Sequence, residues 1–242
     1  MTYSHTAHYH YLASALNESV AAFVELEREM QAFSPRPASD FQARAATLRT
    51  TYKTHNPTMS DASLDQWVQR EIEMAADERL QFVDAFNSRF MSRSVTITLL
   101  SHGLCEAVIN TIVAIGLAST GNESAFAPFE GTEMKEKWVT GPQLFSPGYN
   151  FPKGGRLYET LTILSRRRNN LVHYKITLES EGTPLIAGTR IERTTFAKEA
   201  DWLKRFADLP YDLHRHAISQ VSNPPLHGVL SETSTRTRLS PV

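Results

Sequence analysis

Apolar side chains recur along this chain at helical spacing, and long polar stretches separate the runs. Leu12, Leu16, Val20, Phe23 and Val24 mark one face of a helix from about residue 8 to 33. The two prolines of "SPRP" stop it. A polar connector follows, with a helical piece over Phe41–Arg49, and "THNPTMSDAS" reads as a turn. Ser60 or Asp61 can cap the next helix, which runs from Leu64 to Phe90, with a break expected near "MSRS". Val95–Ser119 contains no proline and stops at Gly121. Residues 121–155, rich in Gly and Pro, read as a long connector with one helical turn over Lys135–Val139. Gly155 then opens a helix over Arg156–Tyr174. The β-branched segment 176–195, with turn residues at Glu181-Gly182 and Gly188, fits a small hairpin. Phe196–Ser219 returns to helix, with Pro210 as a kink. Residues 219–242 are polar and carry prolines, which predicts a disordered tail.

The pattern is all-α: a bundle of four to five helices, one long inter-helix loop and a loose C-terminus. It divides into an N-terminal helix and connector (1–59), a helical domain (60–218) and the tail (219–242).

Composition adds limits. The chain has 242 residues, enough to bury a real core, with 41% hydrophobic and 21% charged residues as in an ordinary soluble domain. The net charge of −1 argues against a broad basic surface for nucleic acid, so any phosphate recognition must come from a local cluster. The single cysteine, Cys105, permits no intrachain disulfide and fits a reducing, cytoplasmic setting. The N-terminus does not have the pattern of a signal peptide. The most apolar window, Leu104–Thr120, holds Glu106 and Asn110 and reads as a core helix, with no role at a membrane.

One cluster stands out: "RRRNNLVHYK", Arg166 to Lys175. On a wheel of about 100° per residue, Leu157, Leu161, Leu164, Leu171 and Val172 form one apolar arc. Arg168 falls near its middle, Arg166 lies roughly opposite, and Arg167 is intermediate. A guanidinium facing a core must be paired or must line a polar pocket, because an unpaired buried charge costs several kcal/mol in order of magnitude. Asn169 and His173, four apart, share a face, as do Asn170 and His173. Arg168 and His173 are about 140° apart, so one ideal helix does not aim both at a point. Spacing alone favours the plainer reading: a structural arginine paired with a core carboxylate, and a histidine near a helix end.

A resemblance shifts that balance. "RNNLVH", Arg168 to His173, resembles the Arg-x4-His signature of the HEPN superfamily, in which a polar residue, often Asn, follows the Arg. The flanking "LVHY" and the position late in an α-bundle strengthen the likeness, which covers Val95–Tyr174 best. The resemblance implies a HEPN-like bundle and a metal-independent endoribonuclease, of toxin or defence type, with no cofactor. His173 would be the general acid/base, Arg168 would hold the phosphate, and Asn169 would orient the pair. Arg167, Asn170 and Glu106 would contact the RNA substrate. Such enzymes act as dimers with facing motifs; a homodimer here would use the helix face of Ile163, Asn170 and Tyr174. An antitoxin or a nucleotidyltransferase is the expected protein partner. The alternative is a non-catalytic HEPN module that binds a partner protein or a nucleotide.

Other residues weigh less. His102, Glu106 and Asn110 recur every four residues as a polar stripe on the apolar helix. Glu106 is expected to pair with Arg168 or to serve the pocket; a buried packing network is the equal alternative. His5, His8 and His10 carry no metal-ligand pattern, and no metal site is expected.

Overall fold

The computed structural model describes residues 8–32, 38–172, 193–223, 225–226 and 229–230. Among these the chain is all-α, as the hydrophobic spacing predicts: α1 His8–Ala32, α2 Ala38–His55, α3 Asp61–Thr120, α4 Phe126–Glu130, α5 Met134–Thr140, α6 Arg156–Val172 and α7 Arg193–Gln220. The expected hairpin lies almost entirely outside the described residues.

The chain forms two compact units: Val24–Phe90, and Met1–Phe23 together with Met91–Val242. The boundaries expected after residues 59 and 218 fall inside these units. In the first, Leu26, Leu64, Val68, Phe86 and Phe90 are buried. Ion pairs Arg89–Glu29 (2.6 Å), Arg49–Asp65 (2.7 Å) and Lys53–Asp61 (3.0 Å) lie on its surface. Ser60 caps α3, as expected, by accepting the Ser63 N–H at 3.2 Å.

The second unit is a helical bundle with the larger core. Leu16, Val20 and Phe23 of α1 are buried there, as are Ile97, Leu104, Val108, Ile109, Ile112 and Leu117 of α3. Helix α3 ends as its sequence dictates. Gly121 takes φ of 70°, which a glycine adopts without a Cβ penalty. Asn122 N–H donates to Leu117 O at 2.9 Å and Gly121 N–H to Ala118 O, the paired closing bonds of a Schellman turn. The break expected at Met91–Ser94 does not occur. Two serines cost a helix only a few tenths of a kcal/mol each, and the stretch has no Gly or Pro to stop it.

Residues 121–155 are not a loose connector. Phe129 of α4, Met134 and Trp138 of α5, and Tyr149 and Phe151 beyond are all buried. Two glycines allow the approach. A Cβ on Gly116 would strike the Phe145 ring, and one on Gly141 would sit 2.7 Å from Phe129 and 2.9 Å from Val113. Tyr149 Oη donates to Trp138 O at 3.0 Å, and burial raises the phenol's pKa.

Pro210 lies inside α7 without ending it; buried Phe206, Leu209 and Leu213 hold both sides in place. The tail also departs from expectation. Val221, Leu226, Val229 and Leu230 are buried, and His214 Nε2 lies 3.0 Å from the Leu226 carbonyl. A few apolar side chains suffice to dock a short segment when the bundle has a place for them. Residues 231–242 lie outside the described residues. The segment Asp84–Thr120 is long and apolar enough to cross a membrane by length and composition, with 44% of its most apolar window buried within the protein.

Candidate functional site

Helix α6 carries the arginine triplet. Pro152–Gly155 forms a turn, with Gly155 N–H donating to Pro152 O at 3.0 Å, and α6 starts directly after it. Thr160, Leu161, Leu164 and Ser165 form the buried face. The two hydroxyls are satisfied within the helix, Thr160 by Arg156 O and Ser165 by Leu161 O, each at 2.8 Å. Arg168 follows Leu164 by four residues and so continues the core-facing stripe.

The three arginines have three fates. Arg166 is exposed. Arg167, a substrate contact by the resemblance, is half-buried and ion-paired with Glu199 of α7. Its guanidinium also lies 5.2 Å from the Phe206 ring centroid and 6.0 Å from that of Trp202. It serves as a staple between α6 and α7. Arg168 is half-buried, and among the described residues its guanidinium makes one hydrogen bond, to Asn169 Oδ1 at 3.1 Å. Asn169 and Asn170 are exposed, and Val172 is 49% exposed. His173 lies outside the described residues, as does Tyr174.

The polar stripe of α3 faces the same region. His102, Glu106 and Asn110 are half-buried. Burial lowers the pKa of His102, the positive charge of Arg168 lowers it further, Glu106 opposes the shift, and Lys137 adds to it. One imidazole on α3 therefore feels charges from both α5 and α6. The Oδ1 atom of Asn110 is buried without a hydrogen-bond partner among the described residues.

Glu106 was expected to pair with Arg168 or to serve the pocket, with a buried packing network as the equal alternative. Its carboxylate pairs with Lys137 of α5, Nζ to Oε1 at 2.9 Å. The Lys137 side chain is 1% exposed and that of Glu106 41%. The ammonium also lies 5.7 Å from the Phe129 ring centroid. Sequence reasoning missed Lys137, although the signal was present. It shares a face with Met134 and Trp138, both buried, so it is a lysine on the apolar side of a short helix. Arg168 likewise lies on the apolar side of its helix.

Cys105 is fully buried, and burial pushes its thiol pKa well up, away from reactivity. His10 is exposed, and His216 Nε2 lies 3.2 Å from Asn150 O. Among the described residues no group of three or more His, Cys, Asp or Glu side chains is placed to hold a metal ion. Comparison with family models, curated proteins and solved structures returned no match.

Proposed function

We infer that the chain is a HEPN-type, metal-independent endoribonuclease working through Arg168 and His173. One observation carries this reading. Among the described residues, Arg168 has no carboxylate partner, although it continues the core-facing stripe of α6 and is only half-buried. A structural arginine in that place would be neutralised, as Arg167 is by Glu199. Arg168 instead keeps its charge beside two exposed asparagines, an arrangement suited to holding a phosphodiester.

In the reaction the RNA 2′-OH attacks the adjacent phosphorus. His173 moves the proton of the attacking or departing oxygen, and Arg168 stabilises the charge that develops on the phosphoryl oxygens. The 5′-oxygen leaves, giving a 2′,3′-cyclic phosphate and a 5′-hydroxyl. DNA lacks the nucleophile. A homodimer across α6 would bring a second motif to the site and offset the angular separation of Arg168 and His173; exposed Val172 supplies apolar surface beside it. A cytoplasmic toxin or defence role, with an antitoxin or nucleotidyltransferase partner, belongs to the same proposal.

The test is RNA cleavage in EDTA. His173→Ala and Arg168→Ala should each lower the rate by about 100-fold or more. Both should fold, since Glu106 is held by Lys137 and is not stranded when Arg168 is removed. Cleavage that persists in His173→Ala, or that EDTA reversibly abolishes, overturns the mechanism. A wild-type protein inert on RNA that still binds a partner protein or nucleotide supports the non-catalytic module.

A further inference from the structure

Two cations and one carboxylate, Lys137 of α5, Arg168 of α6 and Glu106 of α3, all act on the His102 imidazole, and Lys137 and Glu106 are in contact. The carboxylate can neutralise one of them fully. It is held by Lys137 at 2.9 Å, and the reason lies in solvent access. The Lys137 side chain is 1% exposed, so water does not readily replace Glu106 as its partner. Arg168 is half-buried and can be hydrated. The carboxylate goes to the cation with no alternative.

We propose that Lys137 is a positioning residue for the anion site: by engaging Glu106 it keeps the Arg168 guanidinium free to bind a phosphodiester. This rests on the reading of Arg168 as the phosphate-binding group. Three placements support it. Glu106 lies one turn from His102 on α3, and that imidazole feels the charges of Arg168, Glu106 and Lys137 together. Helix α5 packs on α6, so Lys137 and Arg168 are carried by neighbouring elements. The Arg168 hydrogen bond goes to a neutral acceptor, Asn169 Oδ1, which a phosphate oxygen can displace. Glu106 is not itself a substrate contact on this view. It is a competitor for the arginine, kept occupied from below.

The experiment uses the full chain with Lys137→Met and with Lys137→Met/Glu106→Gln, which removes both charges. Arginine side-chain NMR reads the partner of Arg168 directly, because carboxylate pairing slows Nε–Cζ rotation and Nε–H exchange. A 2′-O-methylated oligoribonucleotide, which cannot be cleaved, reads anion binding by fluorescence anisotropy. In Lys137→Met the Arg168 Nε–H should sharpen as Glu106 turns to it, and binding should weaken by roughly tenfold or more. The double variant should restore both readouts, which a merely structural role for Lys137 would not do. Lys137→Gln, which retains a donor for Glu106, serves if Lys137→Met does not fold, and should weaken binding less. An Arg168 resonance unchanged in the single variants, or a double variant as weak as Lys137→Met, overturns the proposal. Wild-type protein that fails to bind the oligonucleotide while the Arg168 resonance responds as described overturns the ribonuclease reading and leaves the ion-pair selection standing.

Discussion

Leu226→Ala separates a docked C-terminal segment from a free one. Leu226 is fully buried in the structure, whereas the polarity of residues 219–242 predicts a tail in which its substitution costs nothing. The substitution removes three carbons, worth about 0.8 kcal/mol each on transfer, and leaves a cavity. Together these give about 3 kcal/mol. The contact between His214 Nε2 and Leu226 uses the main-chain carbonyl, so the variant retains it and the loss reports packing alone. For a chain of this size the loss corresponds to a fall in Tm of about 6–12 °C. Thermal unfolding followed by circular dichroism and by tryptophan fluorescence measures it. Leu144→Ala is the control: Leu144 is 46% exposed, and its loss should stay within about 0.5 kcal/mol. If Leu226→Ala behaves like the control, the segment does not pack on the bundle.

Three further outcomes are expected. Glu106→Ala should cost about 3 kcal/mol by stranding a buried ammonium, while Lys137→Met should cost about 1 kcal/mol because the exposed part of Glu106 can be hydrated; equal losses in urea denaturation would contradict the burial asymmetry. The His102 pKa lies below its ordinary 6.5, so the unfolded chain binds the proton more readily than the folded one. Its contribution is therefore complete above about 6.5 and is lost as pH falls through the folded value, and NMR titration should show the pKa rising in Arg168→Ala; a His102 titrating at or above 6.5 in the wild type would refute the assignment. Gly116→Ala should lower Tm, because overpacking against Phe145 at about 1–3 kcal/mol outweighs a helix-propensity gain of about 1 kcal/mol, whereas a gain in Tm would show that the ring moves aside freely.

The sequence by itself determined the helices and several of their ends. Periodicity near 3.6 and capping are local properties, written within a few residues of where they act. Thus Leu16, Val20 and Phe23 mark the buried face of α1, Ser60 starts α3, and Gly121 ends it. The same local logic placed Arg168 on a face where a charge needs an explanation. What tertiary structure decided is which groups meet. Glu106 and Lys137 are 31 residues apart, and their pairing reflects a competition settled by how deeply each cation is buried. Arg167 and Arg168 are adjacent and chemically identical, and the position of Glu199 on α7 makes a staple of the first, while among the described residues the second donates only to Asn169. Residues 121–155 read as a connector because they are rich in Gly and Pro, and the segment through Leu230 reads as a polar tail because few of its side chains are apolar. Those few are buried because the bundle offers each a place, and no periodicity within the segment records the shape of a distant surface.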